Sequence, residues 1–286
     1  MITLGPGWDG PITILVLPDI HYPLHCWRAI SIVKQVARSL HLDAMIQLGD
    51  LLDIEGLGRW AKDAPGQTEG QRLVEDIDLA AKGLWGIMDA ARERNPDCKG
   101  FLLEGNHEER IKRLANSVPY LKGLIDLPEM LKLEELGIQW CQCDSQGGLL
   151  RFDWTEQGIR PRYYTRDDWI TKEQGIAFIH GWFASMHAAK QHSERYGRGP
   201  IFFGHTHRLQ TYVPHSYGEP KPYACSLGHL RSANPDWIKS PLAWQQAFAV
   251  LTIGKHVGAW EPEIVRINST PSGKRRCLFR GVEFQA

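Results

Sequence analysis

Five short polar motifs, each placed directly after an apolar run, constrain the fold of this chain more than any other feature. The runs are typical of buried strands, and helical patterns separate the first three of them. The motifs are Asp19-x-His21, Gly49-Asp50-x-x-Asp53, Gly105-Asn106-His107-Glu108, His180-Gly181 and Gly204-His205-x-His207. In open α/β sheets, ligands bind outside the carboxyl ends of the strands. We therefore expect these five motifs to meet at one rim of a sheet.

The alternation of strand and helix patterns predicts a sheet that is parallel or mostly parallel, with helices on its faces. Strands are expected at 12–17, 44–48, 101–103, 138–141, 149–152, 176–179 and 201–203, and helices at 27–40, 71–94, 108–116, 128–136 and 184–196. Residues 151–168 are rich in charged and aromatic side chains and are expected to form a long loop or hairpin. Three further strands, at 222–226, 248–253 and 263–267, have no helices between them and suggest a second, mixed sheet.

These elements together predict an α/β fold, in which a two-sheet β-sandwich is flanked by helices. We expect one domain over residues 1–286. Two loop or flap insertions are expected in it, around 143–174 and around 228–246.

The composition narrows the class of protein. Lys and Arg total 33 and Asp and Glu total 33, so the formal net charge is zero. A protein that coats nucleic acid without sequence preference usually carries a clear basic excess. Any contact with nucleic acid must therefore come from a local patch.

Cysteine spacing and the N-terminal sequence predict a cytoplasmic protein. Of the six cysteines only Cys141 and Cys143 are close, and a Cys-x-Cys pair lacks the second pair that a structural zinc site needs. We expect reduced, mostly buried thiols. The apolar run at 12–17 is too short for a signal peptide or a membrane span, so no membrane partner is expected.

The residue types in the five motifs fit a site for two divalent cations. Carboxylate and amide oxygens suit hard cations, and imidazole suits Zn, Fe, Ni and Mn. In an extended segment, Asp-x-His and His-x-His place both side chains on the same side, so that both can reach a metal. An aspartate such as Asp50 can bridge two ions with its two oxygens. Two ions roughly 3.5–4 Å apart can activate water and stabilise an in-line phosphoryl displacement.

The five motifs, in this order between positions 19 and 207, resemble the signature of the calcineurin-like metallophosphoesterase superfamily. The resemblance implies a four-layer α/β/β/α fold and hydrolysis of phosphate esters by a metal-activated hydroxide. It also implies two ligand sets that share Asp50 as a bridge. The first metal would be held by Asp19, His21, Asp50 and His207, and the second by Asp50, Asn106, His180 and His205.

The resemblance implies roles for three neighbouring residues as well. His107 would protonate the leaving oxygen or contact the phosphate, and Asp53 and Glu108 would orient the ligands or His107. A structural reading stays open for two of them: Asp53 as a helix N-cap and Glu108 as a first-turn helix residue. We expect manganese for activity, although iron, zinc, nickel and cobalt suit the same donors, since no thiolate points to one metal.

Departures from the signature argue against one branch of the superfamily. Its protein Ser/Thr phosphatases typically have Asp-Arg-Gly after the second motif and Arg before Gly-Asn-His, whereas this chain has Ile54 and Glu104 there. Arg110 could partly replace the missing arginines, or could be a surface residue. His229 follows a predicted strand downstream of the last motif and is a candidate for lining the cleft.

Two segments that combine arginine with aromatic residues, and one basic cluster, favour a phosphodiester substrate, either nucleic acid or a nucleotide. They are the stretch 154–169, the stretch with Arg231, Trp237 and Trp244, and the basic cluster Lys274-Arg275-Arg276. Such side chains also serve packing alone, so a solvated flap is the competing interpretation. A small-molecule phosphomonoesterase is the alternative function. A non-catalytic metal-binding scaffold is the remote one, because every matching position is intact.

Overall fold

A computed structural model describes residues 1–58, 61, 63, 65–142, 148–165, 168, 174–214, 223–232 and 243–286. Several residues that the sequence singled out lie outside these ranges: Cys143, Arg166, Trp169 and Trp237. The same holds for parts of both predicted insertions. Within the described residues, no helix is long and apolar enough to cross a membrane.

The described helices and strands follow the predicted order closely. The helices are α1 (Trp27–Ser39), α2 (Leu73–Arg92), α3 (Glu109–Ser117), α4 (Leu127–Met130) and α5 (Ala188–Tyr196). The strands are β1 (Ile2–Thr3), β2 (Ile12–Leu17), β3 (Ala44–Gln47), β4 (Lys99–Leu103), β5 (Ile138–Cys141), β6 (Leu149–Thr155), β7 (Gly158–Tyr164), β8 (Gly175–Ile179), β9 (Pro200–Phe203), β10 (Leu209–Tyr212), β11 (Tyr223–Leu227), β12 (Ala247–Ile253), β13 (Trp260–Arg266), β14 (Asn268–Ser269), β15 (Arg275–Phe279) and β16 (Val282–Gln285).

The first large sheet has the strand order β13-β12-β2-β3-β4-β5. Strands β2 to β5 are parallel, as predicted, and β12 and β13 pair antiparallel at the free edge of β2. The expectation that the C-terminal strands build a second sheet is therefore wrong for β12 and β13. The physical reason is that β2 would otherwise expose an unpaired, largely apolar edge, which β12 covers.

The second large sheet has the order β1-β7-β6-β8-β9-β11-β10 and contains the remaining predicted C-terminal strand, β11. Strands β8, β9 and β11 run parallel, and the other pairs are antiparallel. A small third sheet, β14-β15-β16, contacts α1 and β13.

The two large sheets pack face to face over an apolar core. Aromatic rings interlock there, with Phe152 edge-to-face against both Phe101 and Phe178 at 5.6 Å between ring centroids. Helices α1 and α2 bury their apolar faces against the outer side of the first sheet, and α5 packs on the outer side of the second. The layers are therefore α/β/β/α, which confirms the predicted fold class.

The hairpin β6–β7 includes the described part of the 154–169 stretch and lies away from the predicted rim. Trp154 is buried, and its Nε1 donates to the carbonyl of Gly254, beside Ile253. Ile253 pairs with Ile12, at the start of β2, whereas the polar motifs follow the ends of the strands. Arg160 pairs with Asp9 on the surface. For these residues the packing interpretation is correct.

Candidate metal centre

The five motifs meet at the rim where β2, β3, β4, β8 and β9 end. Backbone hydrogen bonds tie the loops together: the amides of Ile20 and His21 donate to the carbonyl of Asp50 at 3.1 and 3.0 Å. Within the second sheet, the amide of Gly204 donates to the carbonyl of His180 at 2.8 Å. Between the two sheets, the amide of His205, after β9, donates to Asp19 Oδ1, after β2, at 2.8 Å. Both sheets therefore contribute side chains to one site.

The first donor cluster consists of Asp19, His21 and His207. The Nε2 atoms of the two imidazoles lie 2.9 Å apart, and His207 Nε2 lies 3.5 Å from Asp19 Oδ1. All three side chains are buried, with 0%, 1% and 7% of their surface exposed. Their ligand atoms lie within 4.8 Å of one another, a spacing that one cation can span.

The second donor cluster consists of Asn106, His180 and His205. The amide oxygen of Asn106 lies 2.9 Å from His180 Nε2 and 2.7 Å from His205 Nδ1. The two imidazole nitrogens are 3.2 Å apart. Asn106 and His205 are half-buried, so this cluster is the more open of the two.

Asp50 stands between the two clusters. Its Oδ2 lies 3.4 Å from His180 Nε2 and 3.8 Å from His21 Nε2, so one carboxylate faces both. Burial alone would raise the pKa of Asp50. At the low pH where Asp50 titrates, the protonated rings of His107 and His180 outweigh burial and hold that pKa well below its ordinary range. The carboxylate is therefore ionised and available as a ligand.

The hydrogen bonds around His180 test whether a cation fits. Its Nδ1 faces the carbonyl of Leu48 at 3.0 Å, and a carbonyl can only accept, so Nδ1 carries a proton. Its Nε2 faces two further acceptors, Asn106 Oδ1 and Asp50 Oδ2. Three lone-pair atoms can converge in this way only around a proton or a cation.

Two opposing effects act on the pKa of His180. Burial would lower it, but the charges of Asp50 and Asp19 dominate and raise it to about 9. The proton on His180 Nε2 lies where a cation can bind. A cation would replace this proton, because imidazole ligands bind metals in the neutral form. In the first cluster, His21 Nδ1 is held by Asp53 Oδ1 at 2.8 Å, which turns Nε2 toward His207. The donor sets of both clusters fit divalent cations.

The backbone at the donors differs from the extended conformation that the motifs suggested. His21, Asp50, His205 and His207 have φ angles of 58°, 51°, 66° and 56°, in the left-handed region. Non-glycine residues rarely adopt this region, and such strain clusters at functional sites. The turns bring side chains together that a straight strand would spread along its length.

Two glycines of the motifs make room for the carboxylates. A Cβ on Gly105 would lie 2.3 Å from Asp50 Oδ1, and a Cβ on Gly204 would lie 2.1 Å from Asp19 Oδ2. Both distances are far below van der Waals contact, so any larger residue would displace a candidate ligand. Glycine is needed at these two positions for close approach.

Glu108 is buried and holds the loops after β3 and β4 in place. Its Oε2 accepts from the amides of Asp50 and Gly105 at 2.9 and 2.8 Å, and its Oε1 accepts from Leu52 at 2.9 Å. Burial and the nearby charge of Asp50 raise the pKa of Glu108 to about 7. Its contacts orient backbone around Asp50, which is more than a first-turn helix residue would do.

Asp53 braces the first cluster. Besides holding His21, its Oδ1 accepts from Arg231 Nη1 at 3.2 Å. The short helical turn that follows begins with Ile54 as its cap residue and has no side-chain cap. The helix-cap interpretation of Asp53 therefore does not apply.

His107 lies at the open side of the centre, with 16% of its side chain exposed. Its Nδ1 donates to the carbonyl of Asp53, and its Nε2 lies 3.8 Å from Asp50 Oδ2. Arg110 Nη2 donates to the same Nε2 at 2.9 Å, while Arg110 Nη1 donates to the carbonyls of Asp53 and Ile54. Burial, together with His21 and Arg110, lowers the pKa of His107 to about 4.

His229 is buried against the first cluster. Its ring lies 5.2 Å from that of His207, and its Nδ1 accepts from the amide of Arg231 at 3.1 Å. Burial and the charge of His207 hold the pKa of His229 well below its ordinary range, so the ring is neutral. The predicted position at the cleft agrees with this placement.

Sequence reasoning did not predict which residues support the centre from behind, although it named Trp244 as a candidate for substrate contact. Trp244 contacts the ring of His207 at 4.3 Å between centroids, and the amide of Gln245 donates to the His207 carbonyl at 3.0 Å. On the other side, His192 Nε2 accepts from the amide of Trp182, two residues after His180, at 2.8 Å. No motif marks these residues, because their partners are distant in sequence.

The region that holds all five motifs also matches a known family. Residues 12–209, more than half of the chain, match the model of the calcineurin-like phosphoesterase family. The chain belongs to the calcineurin-like phosphoesterase family. The Gene 54 protein of Mycobacterium phage D29 is 25% identical over 264 residues, which cover 89% of this chain and 93% of the phage protein.

Solved structures with a similar fold have low sequence identity. Vps29 from Chaetomium thermophilum is 11% identical, with a TM-score of 0.46, and the match covers 96% of this chain and 95% of that one. The nuclease MPE from Pseudomonas putida is 14% identical, with a TM-score of 0.32, over 87% of this chain and 86% of that one.

Proposed function

We propose that this chain is a dinuclear-metal phosphoesterase that hydrolyses phosphodiesters. The observation that carries the proposal is the position of Asp50, whose single carboxylate faces the imidazoles of two separate donor clusters. A phosphate ester bound at such a centre would lie beside His107 and Arg110, at the open side.

The first cation would be held by Asp19, His21, Asp50 and His207, and the second by Asp50, Asn106, His180 and His205. Manganese is the expected metal, and the donor chemistry also suits iron, zinc, nickel and cobalt. When bound, the two cations would lower the pKa of water and neutralise charge on the phosphoryl group. The protein itself would hold the ligand side chains of the two clusters close together and shield them from bulk water.

His107 would protonate the leaving oxygen or contact the phosphate through Nε2, the nitrogen that Asp53 leaves free. Before substrate binds, its low pKa keeps the ring neutral at pH 7. A phosphate anion beside Nε2 would favour the protonated ring and would attract the guanidinium of Arg110. Arg110 would then move its hydrogen bond from His107 to the phosphate. In this role it would replace the arginines that the protein phosphatases of the family carry elsewhere.

Two of the three arginine-containing segments support a diester over a monoester. The hairpin segment is packed at the far end of the sandwich and gives no support. By contrast, Trp244 contacts His207 of the first cluster directly, and Arg231 hydrogen-bonds Asp53, which holds His21. Arg275 hydrogen-bonds Gln246 close by. These groups could receive the second organic substituent that a diester carries and a monoester lacks.

A screen of metals against two chromogenic esters tests the proposal. The purified chain is stripped with EDTA and reloaded with Mn²⁺, Fe²⁺, Zn²⁺, Ni²⁺ or Co²⁺, and kcat/KM is measured on bis(p-nitrophenyl) phosphate and p-nitrophenyl phosphate. We expect metal-dependent hydrolysis with a higher kcat/KM for the diester. A clear preference for the monoester would favour the small-molecule phosphomonoesterase. Binding of two metals without cleavage of either ester would favour the non-catalytic scaffold.

A further inference from the structure

We propose that the polar pocket beside Trp244 binds the phosphate of a nucleic-acid strand next to the scissile one. The inference rests on the proposed function, because it extends the phosphodiester into a chain of nucleotides. The pocket has a volume of about 400 Å³ and lies between the first donor cluster and the small C-terminal sheet. Its floor includes Arg266 and Arg275, one from the end of β13 and one from the start of β15.

The pocket borders the metal centre directly. His229 and Trp244 line it, and the rings of both contact the ring of His207, at 5.2 and 4.3 Å between centroids. A ligand in the pocket is therefore separated from the first cluster by a single layer of side chains. A substrate whose scissile phosphate lies at the metals can continue past Trp244 into it.

Gln246 joins the walls of the pocket. Its side-chain amide donates to the carbonyl of Arg231, and its backbone carbonyl accepts from the amide of Ile267 at 2.8 Å. Its Oε1 accepts from Arg275 Nε at 2.8 Å, which fixes that guanidinium at the pocket. The two terminal nitrogens of Arg275 have no partner among the described residues.

The charge of the pocket selects an anion. The side chain of Arg266 forms no hydrogen bond or ion pair within the described part of the chain, so its full charge is available. The described lining contains no carboxylate, and the remaining polar groups are amides, hydroxyls and the imidazole of His229. Two guanidinium groups without an acidic partner suit a phosphate, which Arg can bind in a bidentate manner.

The position of this anion site identifies the substrate class. A simple diester has one phosphate, which the metal centre would occupy, and so leaves the two arginines unused. An oligonucleotide supplies a second phosphate next to the first, and the indole of Trp244 offers a surface on which a base can stack. The structure thus favours an oligonucleotide over a mononucleotide ester.

The test compares substrates with and without the second phosphate. The R266A/R275A variant is assayed on a single-stranded oligonucleotide, on thymidine 5′-(p-nitrophenyl phosphate) and on bis(p-nitrophenyl) phosphate. We expect the ratio of kcat/KM for the oligonucleotide to that for either small diester to fall about tenfold or more, as for loss of a charged hydrogen bond. Anisotropy of a labelled oligonucleotide in EDTA should show weaker binding and a salt slope smaller by about 1.

The K274A/R276A variant is the matched control. It removes the same number of positive charges, from positions adjacent to Arg275, but neither side chain lines the pocket. Arg276 lies on the opposite face of β15 from Arg275 and pairs with Glu283 at the surface. This control should keep the wild-type substrate ratio. The single variant R266A, which removes no described contact, covers the case in which loss of the Arg275–Gln246 bond disturbs folding.

Each outcome decides for or against the pocket. An unchanged substrate ratio in R266A and R266A/R275A would overturn the inference, as would an equal fall in the control variant. If the wild-type chain cleaves the small diesters but neither cleaves nor binds the oligonucleotide, the pocket assignment fails and the proposed function stands. If the wild-type chain cleaves no ester with any metal yet binds the oligonucleotide through both arginines, the proposed function fails and the anion site stands.

Discussion

The two donor clusters differ in how firmly the protein encloses them. In the first cluster His21 is held by Asp53, which is itself held by Arg231, and all three donor side chains are buried. In the second, His180 is held by a backbone carbonyl, while Asn106 and His205 are half-buried. A preorganised, buried set of ligands binds a cation more tightly, because less order must be imposed on binding.

The difference suggests two cation sites of unequal affinity that share one ligand. The first cluster would retain its cation through purification, whereas the second would exchange its cation with the solvent. Asp50 couples the two, since its carboxylate faces both clusters. The following predictions distinguish residues that act on both clusters from residues that act on only one of them.

Removing the shared ligand should have the largest effect. The variant D50A deprives both clusters of their common carboxylate and leaves the imidazoles of His21 and His180 without its negative charge. We expect kcat/KM on bis(p-nitrophenyl) phosphate to fall by at least about 10³-fold, beyond the loss of a single oxyanion-hole donor. Metal content, measured by inductively coupled plasma mass spectrometry, should fall as well. Full metal content in D50A would show that the clusters are independent.

His107 should matter for turnover and not for metal content. It belongs to neither cluster, although its Nε2 faces Asp50. The variant H107A should lower kcat by about 10²–10⁴, the usual contribution of a positioned acid, with both cations retained. H107Q is the matched control that keeps a polar side chain. A loss of metal as complete as in D50A would refute the assigned role.

Asp53 should distinguish the clusters, because it braces only the first. The variant D53A should weaken one of the two cation affinities by about 10–100-fold, as other losses of a ligand-orienting carboxylate do. Isothermal titration calorimetry of the metal-stripped chain resolves the two affinities, and D53N serves as a control of similar shape. Equal weakening of both sites would mean that Asp53 supports the whole rim and not one cluster.

Proton release should mark the second cluster. The pKa of His180 is raised to about 9, so at pH 7 its Nε2 carries a proton that must leave before a cation binds. Affinity at this site should therefore rise about tenfold per pH unit up to about pH 9 and then level off. Calorimetry in buffers of different ionisation enthalpy should detect at least about one released proton. An affinity independent of pH between 6 and 8 would contradict the assignment.

The sequence predicted the elements well where local patterns determine them. The apolar run at 12–17 coincides with β2, and the hydrophobic periodicity located α1 and α2 within a few residues. The helix expected at 128–136 is shorter, because the chain turns after Met130 and Lys132 adopts a left-handed conformation. Local patterns also could not show which sheet β12 joins, since its partner β2 lies more than 200 residues earlier.

The candidate donors could be named from the sequence because five motifs occur in a family-specific order. The residues that hold these donors in place could not be assigned that role from the sequence. Arg231, Trp244 and Gln246 lie outside the motifs and act through contacts with residues far away in the chain. The left-handed backbone at His21 and Asp50 likewise follows from the packing of loops from different strands, which periodicity does not record.

The central claim is that one carboxylate joins two cation sites, and anomalous scattering tests it most directly. Crystals of the wild-type chain are grown with Mn²⁺, and data are collected at the manganese edge. The account predicts two anomalous peaks roughly 3.5–4 Å apart, both within coordination distance of Asp50. A single peak at saturating Mn²⁺, or two peaks of which only one contacts Asp50, would contradict it.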